Sequence, residues 1–285
     1  MIRRVEIAKV PLCLLIGCSA LFGYILADPH IALKALLTGI GVFVLATGAA
    51  SMNSMQEYRL DGEMERTKNR PVVLGLLTVR QAAMQSIILM FIGVLLLAGA
   101  TKSLMPVIMS ILALALYNGV YTPLKKRTVL AIIPGALCGA LPPYIGWLAG
   151  GGEAGSYTAA LLVVLFVLWQ VPHFGLIMLV FKEDYESSNR PNLLRLLSES
   201  KLKRILVTWV GALVAVMLLF LTLQPYLGSF IRTLIVLNCC LLLAVFIYYF
   251  SIRKNNNYRF LFIILNLALF FHMLFLAIGR LIVMR

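Results

Sequence analysis

The stretch Ile31-Ala-Leu-Lys-Ala-Leu-Leu-Thr-Gly-Ile-Gly-Val-Phe-Val-Leu-Ala-Thr-Gly-Ala-Ala50 is an apolar run of membrane-spanning length, about 20 residues. It leads into a polar continuation, Asn53-Ser-Met-Gln-Glu57-Tyr-Arg-Leu-Asp61, and then into Met64-Glu-Arg66-Thr67-Lys68-Asn69-Arg70-Pro71. Asn53, Glu57 and Asp61 recur every fourth residue. On a helix such positions stay within roughly 80° of one another and climb ~12 Å along one face. Ionisable groups at membrane depth are expensive and usually functional. Oxygen donors suit a hard cation such as Mg²⁺, which commonly takes one or two carboxylates together with substrate phosphates. The basic cluster just beyond supplies what a diphosphate needs. The pattern reads as a metal-diphosphate site at a membrane surface.

The rest of the chain has the same membrane character. Of its 285 residues 61% are hydrophobic and 13% charged, which marks a polytopic membrane protein and excludes an ordinary soluble domain. Nine apolar stretches are legible, at 11–27, 31–50, 82–100, 105–121, 129–150, 159–181, 205–223, 230–250 and 260–283. They predict an all-α bundle of nine transmembrane helices in a single domain, residues 1–285, around a central cavity with a cap over one mouth. The residues before the first stretch are too few for a transit peptide, and no small-residue cleavage site follows, so that stretch is expected to be retained.

Charge placement sets the expected orientation. All but Lys34, Lys102, Arg232, Arg280 and Arg285 of the 25 lysines and arginines fall on the side of the amino terminus. By the positive-inside rule the amino terminus and the basic loops are cytoplasmic, and an odd number of spans puts the carboxyl terminus outside. The formal charge of +14 is mostly this orientation signal, with an attraction for anionic lipid and substrate added. Interleaved with spans, it does not describe a nucleic-acid-binding surface. Most carboxylates, Glu57, Asp61, Glu63, Glu65, Glu183, Asp184, Glu186 and Glu199, sit in the long loops after the second and sixth stretches, so the chemistry is expected on the cytoplasmic face. Both loops reach an Asn-Arg-Pro triplet, at Asn69-Arg70-Pro71 and Asn189-Arg190-Pro191, a weak sign of duplication in which proline ends the helix. The five cysteines lack zinc-ligand spacing and read as small core residues.

The run from Asn53 to Pro71 resembles the UbiA superfamily of intramembrane prenyltransferases, and its Arg-Thr-Lys-Asn-Arg-Pro ending resembles the haem O synthase (protohaem IX farnesyltransferase) branch. Three further segments agree: Tyr121-Thr-Pro-Leu-Lys125-Lys-Arg-Thr128, Gly135-Ala-Leu-Cys-Gly139-Ala-Leu-Pro142-Pro143-Tyr-Ile-Gly146-Trp147, and Trp169-Gln-Val-Pro172-His173-Phe174 followed by Lys182-Glu183-Asp184-Tyr185. The similarity runs from about Ala50 to Leu194. The sequence departs from the branch at Glu57, where Asp is frequent, and after Tyr185, where a glycine is lost and Arg190 gained. The second departure bears on the acceptor more than on the prenyl donor.

The resemblance implies farnesyl diphosphate as donor, haem B as acceptor, Mg²⁺ as cofactor and terminal-oxidase assembly proteins as further partners, in a bacterial or archaeal cytoplasmic membrane. Asn53, Glu57, Asp61, Asp184 and Glu183 are the candidate metal ligands, in two clusters facing one another. A solvated helix end, paired with Arg59 and Arg66, is the competing account of the first cluster. Arg66, Lys68, Arg70 and Lys125 are candidates for the diphosphate oxygens, against a purely topological role. Tyr121 is expected to hydrogen-bond the diphosphate or turn its ring to a cation, unless it is an interfacial anchor. His173, with Trp169 one turn earlier, is the candidate for haem contact or proton handling, against helix packing. Pro142-Pro143 is expected to break or kink its helix beside the cavity. Three other readings stand beside this one. They are a prenyltransferase with an aromatic, quinone-precursor acceptor, a membrane transporter, and a non-catalytic haem carrier.

Overall fold

Each long apolar run folds as one helix, because inside a bilayer the backbone must satisfy its own hydrogen bonds. The computed structural model describes residues 2–187, 191–224, 227–252 and 257–282. Among them are nine helices long and apolar enough to span a membrane: α1 Val10–Ala27, α2 Leu33–Asp61, α3 Val79–Ala100, α4 Met105–Leu124, α5 Val129–Ala149, α6 Tyr157–Val180, α7 Glu199–Leu223, α8 Ser229–Ser251 and α9 Tyr258–Ile282. A short helix, Ile2–Ile7, precedes α1. Asn189 and Arg190, two residues of the second triplet, lie outside the described residues.

The bundle's outer surface is apolar, with Leu12, Leu15, Ile87, Phe91, Ile111, Leu237 and Ile263 all exposed, as lipid contact requires. Inside, α2 packs against α1 and α3, and α1 against α5. The α1–α5 contact is the tightest in the bundle: a Cβ on Gly146 would stand 1.8 Å from the Ala20 carbonyl oxygen, and one on Gly23 1.9 Å from that of Pro143. Backbone touches backbone there, as small residues permit in membrane bundles.

Two helices bear on the sequence reading. α2 continues beyond the apolar run to Asp61, carrying the polar stripe on a buried helical extension as its spacing predicts. α5 runs unbroken through Pro142 and Pro143 to Ala149. This corrects the expected break: Pro143 lies where α5 is clamped to α1 at Gly23, and that packing supports the helix through the missing N–H bonds. α4 is regular to Leu114 and then widens into π-helical turns over Ala115–Tyr121 before closing again at Thr122–Leu124.

After α2 the chain folds back over its own helix end. Met64 is buried, and Val72 and Leu77 cluster with Ile7 and Ala82, against Met55 and Tyr58. Thr78 then starts α3 with a reciprocal cap, accepting from Gln81 N at 3.2 Å while Gln81 Oε1 accepts from Thr78 N at 3.0 Å. This small cluster fixes Arg70 and the amino-terminal segment over the end of α2.

Candidate active site

The four-residue spacing delivers what it predicts geometrically. Asn53, Glu57 and Asp61 are each no more than 3% exposed, one above another on α2. Such burial would be untenable for unmatched carboxylates, and each has a cation. Lys125, reaching from the end of α4, places Nζ 2.9 Å from Glu57 Oε2. Arg70, carried back by the loop, pairs with Asp61 through a short contact to Oδ2. Asn53 closes the network: its Nδ2 donates to Glu57 Oε2 at 3.1 Å and to Thr122 Oγ1 at 3.1 Å. The Thr122 hydroxyl in turn donates to the Tyr117 carbonyl at 2.9 Å, so its lone pair is left for the amide.

One further member was not legible as such. Lys9 stands in the left-handed region at φ 48°, where the chain turns from the short helix into α1, and its Nζ donates to Asn53 Oδ1 at 3.3 Å. Burial holds its ammonium down to about pKa 8, with the charges of Arg70 and Lys125 adding to that and Glu57 and Asp61 opposing. In the sequence it is one more basic residue ahead of a span. Only its place within the apolar run Ile7-Ala8-Lys9-Val10 hinted at another use. Lys9→Met is expected to weaken binding of an unreactive prenyl diphosphate analogue about tenfold, or ~1.4 kcal/mol. Unchanged affinity would leave Lys9 only a brace for Asn53.

The other expected residues fall in three places. At the mouth, Arg66 lays its guanidinium 4.9 Å from the centre of the Phe181 ring, and its backbone N donates to Asp184 Oδ2 at 3.3 Å. These two line a cavity of ≈ 720 Å³ with Lys182, Glu183, Tyr258 and Arg259. Glu199 ties that rim to the bundle, pairing with Lys182 at 3.1 Å and Lys203 at 2.9 Å and accepting from the Tyr258 hydroxyl. Lys68 pairs with Glu65 at 2.6 Å on the exposed surface, and Glu183 is exposed. Asp184 therefore reaches the loop after α2. Among the described residues no three carboxylates, histidines or cysteines converge as a ready-made metal cage.

Deeper in, an aromatic track begins at the cation pair. Lys125 Nζ lies 4.8 Å from the Tyr121 ring centre, Tyr121 stacks on Tyr117 at 5.6 Å, and across the bundle Phe174 follows at 6.3 Å. Gly135 makes room, since a Cβ there would fall 2.8 Å from the Tyr121 ring. Beyond Phe174 come His173, 4.9 Å from the Phe262 ring, and Trp169, 4.3 Å from His173. His272, by contrast, is fully buried edge-on to Phe220 on α9, away from this track.

The UbiA prenyltransferase family model matches residues 16–276 of this chain. The chain belongs to that family. A protoheme IX farnesyltransferase of Nitratidesulfovibrio vulgaris is 35% identical to this UbiA chain over 245 residues, 85% of it and 84% of the relative. One of Geobacter sulfurreducens is 41% identical over 182 residues, 63% of this chain and 66% of its own. Among solved structures, the same fold is found in one from work on digeranylgeranylglyceryl phosphate synthase, with TM-score 0.79 and 15% identity over 98% of both chains. It is found again in a UbiA homologue of Archaeoglobus fulgidus bound to GPP and Mg²⁺, with TM-score 0.66 and 18% identity over 97% and 98%. The UbiA chain studied here is thus an integral membrane prenyltransferase. Its donor set of two carboxylates and one amide oxygen suits a hard divalent ion whose remaining ligands come from a diphosphate.

Proposed function

We propose that this prenyltransferase moves a farnesyl group from farnesyl diphosphate to a vinyl group of haem B, yielding haem O, with its active site and amino terminus on the cytoplasmic side. One observation carries the reading: a buried stripe of oxygen donors matched cation for cation by Lys125 and Arg70, opening onto an aromatic interior. The names of the relatives support the haem acceptor.

The matched charges explain how the site waits without substrate. Glu57 and Asp61 hold Lys125 and Arg70 in position, and both cations then exchange a carboxylate for phosphate oxygens. Arginine offers a planar fork and lysine a point charge. Asn53, Glu57 and Asp61 would hold Mg²⁺, which would supply charge that stabilises the departing diphosphate. Arg66, with Asp184 on its backbone, closes the mouth, and Glu183 and Lys68 add polar surface to the rim. Beneath the diphosphate, Tyr121 presents its ring where allylic positive charge develops. Tyr117 and Phe174 exclude water until the carbon–carbon bond has formed. His173 and Trp169, deeper along the track, are the groups that meet the acceptor.

The test is incubation of membranes holding the protein with farnesyl diphosphate and haem B, with products identified by mass. Farnesylated haem is the expected product; prenylation of hydroxybenzoate or a naphthoate alone would sink the haem assignment. Chelation of divalent metal is expected to stop turnover and Mg²⁺ to restore it. Undiminished turnover in metal-free membranes would leave the diphosphate to Arg66, Arg70 and Lys125.

A further inference from the structure

One turn deeper than Tyr121, α5 and α6 form a second polar contact that the diphosphate site does not use. Gln170 of α6 lies flat on Gly139 of α5, so closely that a Cβ on Gly139 would stand 2.7 Å from Gln170 Oε1 and 3.1 Å from its amide carbon. Gln170 Oε1 is buried and has no hydrogen-bond partner among the described residues. The same holds for His173 Nδ1, which is three residues further and on the same helical face. A glutamine oxygen in an apolar interior without a partner costs about 1–3 kcal/mol, so its retention asks for a ligand.

The backbone beside it is equally unmatched by its own helix. The carbonyls of Cys138 and Gly139 would accept from the N–H groups of residues 142 and 143, and both of these are prolines. The helix nevertheless continues through both prolines. Acceptors from a side chain and a backbone therefore lie at one level, where the missing Cβ of Gly139 admits the Gln170 amide. Gly139 is one turn, ~6 Å, past Gly135, which packs against Tyr121 and Phe174. The level lies along the path from the diphosphate into the interior. Buried acceptors without partners at one level describe a seat for a hydrogen-bond donor.

We propose that Gln170, seated on Gly139, holds the water molecule that completes the reaction. This rests on the functional reading above. When carbon one of the farnesyl group bonds to the terminal vinyl carbon, the positive charge moves to the vinyl carbon next to the macrocycle. A water donating to Gln170 Oε1 keeps its lone pair free. Its oxygen forms the new C–O bond, and its second proton leaves to His173 Nδ1, so the charge passes from carbon to imidazole. Without a held water the same cation loses a proton from the neighbouring CH₂ and becomes an alkene, lighter than haem O by one water. Gln170 thus selects between two products of one intermediate.

The readout is the ratio of hydrated to dehydrated farnesylated haem, measured by mass in ¹⁸O-water. The wild type is expected to give the labelled hydrated product. Gln170→Leu is expected to shift the ratio at least about tenfold toward the alkene, the effect of losing one hydrogen bond of ~1.4 kcal/mol. Gly139→Ala, which displaces the amide and leaves its chemistry intact, should shift it the same way. Gln170→Glu, retaining an acceptor oxygen, should restore hydration. An unchanged ratio in whichever of Gln170→Leu and Gly139→Ala turns over overturns the proposal. So does loss of all product in both while an unreactive farnesyl diphosphate analogue still binds. A wild type that prenylates no haem sinks the functional reading instead.

Discussion

Asp61→Ala is expected to lose prenyl transfer by roughly 10³-fold or more while the protein remains inserted and folded. Removing one preorganised charge-stabilising group typically costs about 10²–10³ in turnover. Here the same change also releases Arg70, so two groups leave their places together. The stability cost should stay below the ~3–5 kcal/mol of breaking a fully buried pair, because the Arg70 side chain is 24% exposed and can be rehydrated. Thermal unfolding in detergent and binding of a farnesyl diphosphate analogue separate the two effects. Wild-type turnover in a well-folded Asp61→Ala protein would remove Asp61 from the metal site. Glu57→Asp keeps a carboxylate and should be milder, its cost coming from a longer reach to Lys125.

Gly146→Val should prevent the bundle from assembling. Overpacking a core usually costs about 1–3 kcal/mol because side chains shift. At Gly146 the obstacle is the Ala20 carbonyl, 1.8 Å from where the Cβ would stand, and backbone in a helix cannot step aside. Separating α1 from α5 would also undo the Gly23–Pro143 contact and carry Lys9 away from Asn53. Folded, monodisperse protein is expected to fall below detection. Gly211→Ala and Gly99→Ala, with nothing within 4 Å of the added carbon, should fold normally. Recovery of Gly146→Val with normal thermal stability would contradict the close approach.

These two positions also show what a sequence can and cannot disclose. Asp61 was legible because helical periodicity is local: three oxygen donors four residues apart share a face wherever the helix goes. The spans were legible for a similar reason, since each must be apolar over its whole length. Lys9 and Thr122 were not, because their roles arise from contacts 44 and 69 residues away along the chain. Pro142-Pro143 misled for the opposite reason. Proline's local preference argued for a break or kink, and the helix is not broken where Pro143 packs against Gly23 of α1. The second carboxylate cluster was expected to face the first; Asp184 accepts from the Arg66 backbone, a contact 118 residues away along the chain that no spacing records.

The π-helical turns of α4 carry a consequence for how this site is inherited. A π-turn holds one more residue than the α-helical turn it replaces, and that residue rotates everything after it by about 100°. Asn118 within the turns, and Thr122 and Lys125 after them, all meet α2 only because of that rotation, through Ala49, Asn53 and Glu57 in succession. A descendant chain shortened by a single residue between Ala115 and Tyr121 would heal into a more regular helix. It would preserve each motif letter for letter, and it would point Lys125 away from its carboxylate. The geometry of this site therefore depends on the number of residues in the segment as well as on their identity.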